Sequence, residues 1–356
     1  ADSKYLDGKP IRQSKIILLN QLLGATAMIG TTVFASTGLL VSAGFTFNEV
    51  FYYRFPNFDF AFIVLICALA LHLFSKMTRN SILACAVFCS LSGLTGLIAY
   101  GLVSSAPIPF QQVNENSSIL GLLPLLLVFT GIDQARIIAR REAGYFIVAF
   151  LFLVVVLAGW MFISAGFVEA DRLLHSTIPY MTAAGKIAGN TGRLVMGMVI
   201  ISGSLLAVYG LLSICSSFFI RTTKYTQGGN VHRIVIVLLA AAVGIMMATG
   251  VAGSSSLELY IRSSLLLWLI HMAFSVLSGA FSVRVEKPLQ AAAGILSSIV
   301  IFSCSLTLFF FQKEVPAAAL FVASMIAVTA VLMGIVKFIT TGHGSDKSTR
   351  RKITEV

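Results

Sequence analysis

Few residues of this chain can do chemistry, and most of those sit inside long apolar runs. His271 lies within such a run, close to Trp268, where an imidazole with an unperturbed pKa near 6.5 can relay a proton or hydrogen-bond a neighbouring helix. Asp133 follows Thr130-Gly131 and precedes Arg136 and Arg140. As a carboxylate it can pair with those arginines, accept an ammonium group, carry a proton or cap a helix start. Ser202, Ser204, Ser213 and Ser216, with Tyr209, form a hydroxyl series that suits either ion contact or the joining of helices. His72, one turn from Lys76, reads as interfacial, and Glu258 with Arg262 as a surface pair. An ionisable side chain at the centre of a bilayer costs about 2.5–3.5 kcal/mol on insertion scales, so each one at that depth is a functional suspect.

Other chemistries find no support. Of the five cysteines, Cys85 and Cys89 are four apart but lack a third ligand, and all five read as buried small hydrophobes. No metal site and no cofactor is expected. HExxH, GxSxG, paired intramembrane aspartates and Walker A are absent from the sequence, so neither an enzyme nor an ATP-driven pump is indicated.

The elements that must position these residues follow from composition. The chain has 356 residues, 57% hydrophobic and 11% charged, with a mean hydropathy of +0.93. Soluble domains carry about a quarter charged residues, so a water-soluble fold is excluded. The reading is an all-α polytopic membrane bundle of ten transmembrane helices, at 15–44, 57–75, 81–104, 117–140, 144–167, 193–220, 233–252, 261–283, 290–311 and 315–339. Residues 1–14 form an N-terminal tail, 15–340 the membrane domain and 341–356 a basic tail. The longest outer stretch, 168–192, has Pro179 at its middle and suits one or two short surface helices acting as a lid.

Basic residues set the orientation. With the N-terminus inside, 19 of the 25 Lys and Arg fall on inner segments and six, Arg54, Arg172, Lys186, Arg193, Arg262 and Lys313, on outer ones. Both ends are therefore read as cytoplasmic, in a cell membrane. The net charge of +11 belongs against an anionic inner leaflet rather than against nucleic acid.

Two of the ten helices read as discontinuous. In the first, Gly24 and Gly30 bracket a weak helix former followed by Thr31 and Thr32. That stretch begins about 15 Å in from Lys15, near mid-membrane. In the fourth, Pro124 removes a helical hydrogen bond and Thr130-Gly131 lies about 21 Å deep. Unpaired backbone cannot face lipid, so such breaks must line an enclosed wet cavity. Half-helix ends there offer N–H groups to a carboxylate and carbonyls to a cation.

At these residues a resemblance emerges. The run Gly24-Ala-Thr-Ala-Met-Ile-Gly-Thr-Thr-Val-Phe resembles the unwound first helix of the amino acid–polyamine–organocation superfamily, and Phe129-Thr-Gly-Ile-Asp resembles its second unwound helix. Ile178-Pro-Tyr-Met and Gly189-Asn-Thr-Gly-Arg are similar to its outer loop and eighth helix. The family places four helices between its broken pair, whereas two stand here. The resemblance implies a transporter-like inverted repeat and alternating-access transport of amino acids or related amines driven by H+ or Na+. It further implies that the solute is held around Gly24, Thr26, Ile29, Gly30 and Thr31 and around Phe129, Thr130 and Gly131. Ser202 and Ser204 are then candidates for ion contact, beside Asp133 and His271 for coupling.

The expected function is secondary transport of a small amino-acid-like or organic-amine solute. The alternative is a non-transporting structural or regulatory subunit on the same scaffold, which would travel with partner membrane subunits.

Overall fold

The computed structural model describes residues 15–51, 56–104, 143–169, 172–173, 176, 178–222, 229–254, 256–283, 287–311 and 314–353. Among the described residues the regular structure is all helical, without a strand. The helices are α1 (Lys15–Gly30), α2 (Ser36–Val50), α3 (Asn57–Leu71), α4 (Lys76–Val103), α5 (Ala143–Phe167), α6 (Pro179–Thr222), α7 (Gly229–Ala248), α8 (Ser256–Val283), α9 (Pro288–Phe310) and α10 (Val315–Ile353). A π-helical segment, Thr31–Ala35, joins α1 to α2. The uniform apolar character of these segments explains the choice of element. In hydrocarbon every peptide group must be bonded within its own segment, and a helix does that.

Six helical stretches are long and apolar enough to cross a membrane: Leu19–Val50, Lys76–Val103, Pro179–Ile220, Ser256–Phe281, Pro288–Phe310 and Val315–Gly334. Three shorter apolar helices, Phe58–Leu71, Leu151–Phe167 and His232–Ala248, accompany them. The expected fourth span, 117–140, lies outside the described residues, and with it Phe129, Thr130, Gly131 and Asp133.

The chain forms two compact units. One comprises Ala1–Gly30, Phe218–Gly228 and Glu258–Val356, the other Thr31–Ser217 and Gly229–Leu257. In the first unit α1 packs on α10. There α8 and α9 approach closely where Gly294 meets the Ala280 side chain, and the Ser298 hydroxyl donates to the Ala273 carbonyl at 2.8 Å. Small residues permit this approach where lipid supplies no hydrophobic drive between helices. In the second unit α2, α3 and α7 pack on one another, and α4 packs on α5. Its core joins Leu97, Ile178, Met181, Ala184, Met196 and Val199, beside a cluster of Ile163, Phe167, Val168, Ala183 and Ile187. Large apolar side chains such as Phe88, Leu102, Val155, Leu296 and Phe310 are exposed, as a lipid-facing surface requires.

Two readings of the sequence need correction. Gly24 to Gly30 do not break the first span: α1 winds through them, and the departure from α geometry begins at Thr31, as a π turn rather than a gap. The propensity penalty of a glycine, about 1 kcal/mol, is small against the burial of this helix, and the Thr26 hydroxyl bonds back to the Leu22 carbonyl at 2.8 Å. The cysteines are not uniformly buried: Cys215 is, whereas Cys67, Cys85 and Cys304 are exposed, because in a bilayer the outside is as apolar as the inside. A real backbone break occurs instead within α6, at Ala188 (φ −133°, ψ 22°) and Gly189 (φ 60°, ψ −140°). Ahead of it Pro179 starts the helix, where its missing N–H is harmless. The Ser176 hydroxyl accepts from the Ile178 N–H at 3.3 Å.

Candidate functional site

Within the first unit the polar residues concentrate on one seam between α1 and α8. The His271 Nδ1 stands 2.9 Å from Asn20 Oδ1 and 3.1 Å from the Asn20 carbonyl oxygen, and Asn20 Nδ2 donates to Ser275 Oγ at 3.2 Å. Gly24 lies against the same imidazole, and Phe218 meets it edge-on with ring centroids 6.0 Å apart. Further along, Gly30 lies against Ser264. The partners descend along α8 as they ascend along α1, so the two helices run antiparallel. Gly24 and Gly30 are thus places where α1 has no side chain because α8 supplies one.

Not every polar group on α8 is satisfied. The Ser263 and Ser264 hydroxyls and the Trp268 indole N–H are buried without a hydrogen-bond partner, as is the Thr329 hydroxyl of α10. Such groups are uncommon, because each unpaired one costs about 1–3 kcal/mol. Trp268 is 4% exposed and His271 5%, so this is interior.

The second unit holds the π segment. A π turn bonds i to i+5 and is frequent at functional sites. Its Thr32 hydroxyl donates to the Leu211 carbonyl of α6 at 3.4 Å, and Thr37 caps back onto Val33 at 2.8 Å. The Thr31 hydroxyl at its start and the Ser36 hydroxyl just beyond its end, at the start of α2, are buried and unpaired. Further along α2, Tyr180 hydrogen-bonds the Ser42 hydroxyl and, at 3.0 Å, Thr46 Oγ1. Arg193 stands 3.5 Å from Glu49. α6 is thereby fastened to α2 on both sides of its break, by Tyr180 ahead of it and Arg193 after it.

A second cluster in this unit joins α3, α6 and α7. The His72 ring stacks on Tyr209 at 4.4 Å and faces the His232 ring edge-on at 6.4 Å. The Ser216 hydroxyl is 2.7 Å from His232 Nδ1. Burial, then the neighbouring His232 and Arg79 charges, push the His72 pKa down to about 4.

The residues singled out in the sequence are thus distributed. Gly24, Thr26, Ile29, Gly30 and His271 belong to the first unit; Thr31, Ser202 and Ser204 belong to the second. Gly24 and His271 touch. Ser202 donates to its own helix at Met198 (2.6 Å), whereas Ser204 reaches across to the Leu39 carbonyl of α2 at 3.2 Å. Asn20, Ser264, Ser36 and Tyr180 were not anticipated. Asn20 carried a signal, an amide beside Gln21 in an otherwise apolar run; the others look like ordinary membrane-helix hydroxyls.

Fold and sites together define a membrane-spanning, multi-pass helical protein. No protein-family model matches the chain, and no curated protein matches it. Among solved structures it is similar to a manganese transporter of Eremococcus coleocola, crystallised with an aromatic bis-isothiourea substituted compound. The two share 13% identity and a TM-score of 0.45, over 92% of this chain and 86% of that one.

Proposed function

We propose that this chain is a secondary active transporter that moves a small amino-acid-like or organic-amine solute by alternating access, driven by an H+ or Na+ gradient. The observation that carries the reading is the π segment with buried, unpaired hydroxyls at Thr31 and Ser36. Thr31 lies 12 residues beyond Leu19, about 18 Å into the span Leu19–Val50. Polar groups left unsatisfied at such depth are expensive unless something polar visits them. In this reading the solute is held by Gly24, Thr26, Ile29, Gly30 and Thr31 together with Phe129, Thr130 and Gly131. Asp133, Ser202, Ser204 and His271 serve coupling. The chain lies in a cytoplasmic membrane with both ends inside, which the 19-to-6 distribution of basic residues supports.

Uptake into proteoliposomes is the test. Gradient-dependent accumulation of an amino acid or amine is expected; no flux for any of them under either gradient rejects the proposal.

One observation favours the alternative of a non-transporting subunit. Gly24 and Gly30, expected to open the helix, are packed against His271 and Ser264, as in a rigid scaffold. Constant co-purification with other membrane subunits, without flux, would decide for it.

A further inference from the structure

We propose that α8 and α10 are joined through a bound water molecule, held by the Ser264 hydroxyl, the Trp268 indole N–H and the Thr329 hydroxyl. The two helices run parallel in a fixed register. The Tyr260 ring stacks on Phe321 with centroids 4.6 Å apart. One turn on, Ser264 and Met325 meet at Gly30 of α1, where an added Cβ would stand 2.5 Å from the serine Oγ and 3.7 Å from the methionine Cε. Both pairs are 61 positions apart (321 minus 260, 325 minus 264). The next pair at that offset, one turn further along both helices, is Trp268 and Thr329 (329 minus 268). All of these residues belong to the first unit.

The polar groups on this seam are buried: Trp268 is 4% exposed, Ser264 2% and Thr329 0%. None of the three has a hydrogen-bond partner among the described residues. Helical hydroxyls elsewhere in the chain satisfy themselves. Thr26, Thr37, Thr95, Ser202 and Thr307 each donate to the carbonyl four residues back, at 2.6–2.9 Å. Ser264 and Thr329 forgo that bond, which is open to any helical serine or threonine. Trp268 lies 12 residues beyond Ser256, about 18 Å into the span Ser256–Phe281, a depth at which lipid offers no partner. The donor set identifies the occupant. An indole N–H only donates, whereas a hydroxyl donates and accepts. A direct bond between Trp268 and Thr329 leaves Ser264 unpaired, and a cation would meet the indole hydrogen head-on. A water accepts from the indole and from one hydroxyl and donates to the other, which pairs all three. The lengths agree: one helical turn rises about 6 Å, and a water making two bonds of about 2.8 Å spans about 5–6 Å. The close approach of α1 at Gly30 works against a larger occupant. This water is part of the packing of the first unit and goes beyond the transport reading, since it is held whether or not a solute moves.

The indole Raman mode that reports N–H hydrogen bonding tests this, read by ultraviolet resonance excitation in detergent. The chain has two tryptophans, Trp160 and Trp268. The Trp268 band is therefore isolated in Trp160→Phe protein, or as wild type minus Trp268→Phe. It should sit at the hydrogen-bonded position, calibrated by 3-methylindole in water against hexane. Thr329→Val should leave it there, because Ser264 and the indole still supply the two partners a water needs. Ser264→Ala combined with Thr329→Val should move it to the unbonded position. Should Thr329→Val fail to fold, Thr329→Ala takes its place in both proteins. An unbonded Trp268 band in the otherwise intact protein overturns the proposal. So does a band freed by the Thr329 substitution alone, the mark of a direct bond, or one still bonded in the double variant. Exchange of chloride for gluconate should change nothing; a shift would assign the seam to an anion and overturn the water. A bonded band that follows these variants without any solute flux upholds the water and rejects the transport reading. Flux with an unbonded band does the reverse.

Discussion

Gly24 of α1 lies directly against His271 of α8: a Cβ at position 24 would stand 2.5 Å from Cε1 and 2.8 Å from Nδ1 of the imidazole, and 2.8 Å from the Phe218 ring. The two residues are 247 positions apart (271 minus 24) and occupy one another's space. Gly24→Val is therefore expected to destabilise the protein by about 1–3 kcal/mol, the usual penalty of overpacking. Thermal unfolding in detergent measures it. Combining it with His271→Ala should return part of the loss; strict additivity of the two would show that they are not in contact.

Gly30 faces Ser264 in the same way, with a hypothetical Cβ 2.5 Å from the serine Oγ. Gly30→Leu should abolish solute uptake while leaving the protein expressed in the membrane. Full uptake by this variant would move the solute site away from the end of α1.

The His72 imidazole, at the turn after α3, gives a pH dependence with a definite sign. Its pKa is pushed down to about 4, by burial first and by His232 and Arg79 next, from an ordinary value of 6.5. In that interval the unfolded chain binds the proton that the folded one refuses. The neutral ring's contribution is complete above about pH 6.5 and is lost progressively as pH falls toward 4. Melting temperature should decline over that window, and His72→Gln should flatten the decline. An equally steep profile in His72→Gln would place the acid sensitivity elsewhere.

Tyr180 fastens the short helix ahead of the α6 break to α2 through Ser42 and Thr46. Tyr180→Phe removes these bonds and little else. A loss of about 1 kcal/mol is expected, and faster amide exchange in residues 178–187 should accompany it. Unchanged exchange there would mean that the core around Met181 and Ala184 holds this helix unaided.

Gly189 carries φ 60° and ψ −140° at the α6 break, a conformation open essentially to glycine. Gly189→Ala should cost about 1–3 kcal/mol, although no neighbouring atom lies within 4 Å of an added Cβ. The penalty is in the backbone. A neutral substitution would indicate that the break can straighten.

The amount of structure legible without coordinates differs from residue to residue. Long apolar runs spaced by basic clusters were enough to locate helices, because in a bilayer backbone satisfaction leaves few alternatives to a helix. His271 stood out because an imidazole is rare at such depth. The glycines of α1 misled, since glycine serves equally where a helix opens and where two helices touch. Local propensity of about 1 kcal/mol does not choose between those outcomes; the side chains of Ser264 and His271 do. Cys67, Cys85 and Cys304 misled for a related reason: apolar surroundings in the sequence do not separate lipid from core.

By itself, then, the sequence determined that this is a helical membrane protein and which few polar residues lie within its apolar runs. Only the tertiary structure decided what those residues meet: that Asn20 lies within hydrogen-bonding distance of a histidine 251 positions away, that α1 widens at Thr31 and not at Gly24, and that α6 breaks at Gly189. Hydropathy and peptide hydrogen bonding are sums over neighbouring residues and can be read along the chain. A contact between helices depends on rotation and register, which are set by the whole packed unit.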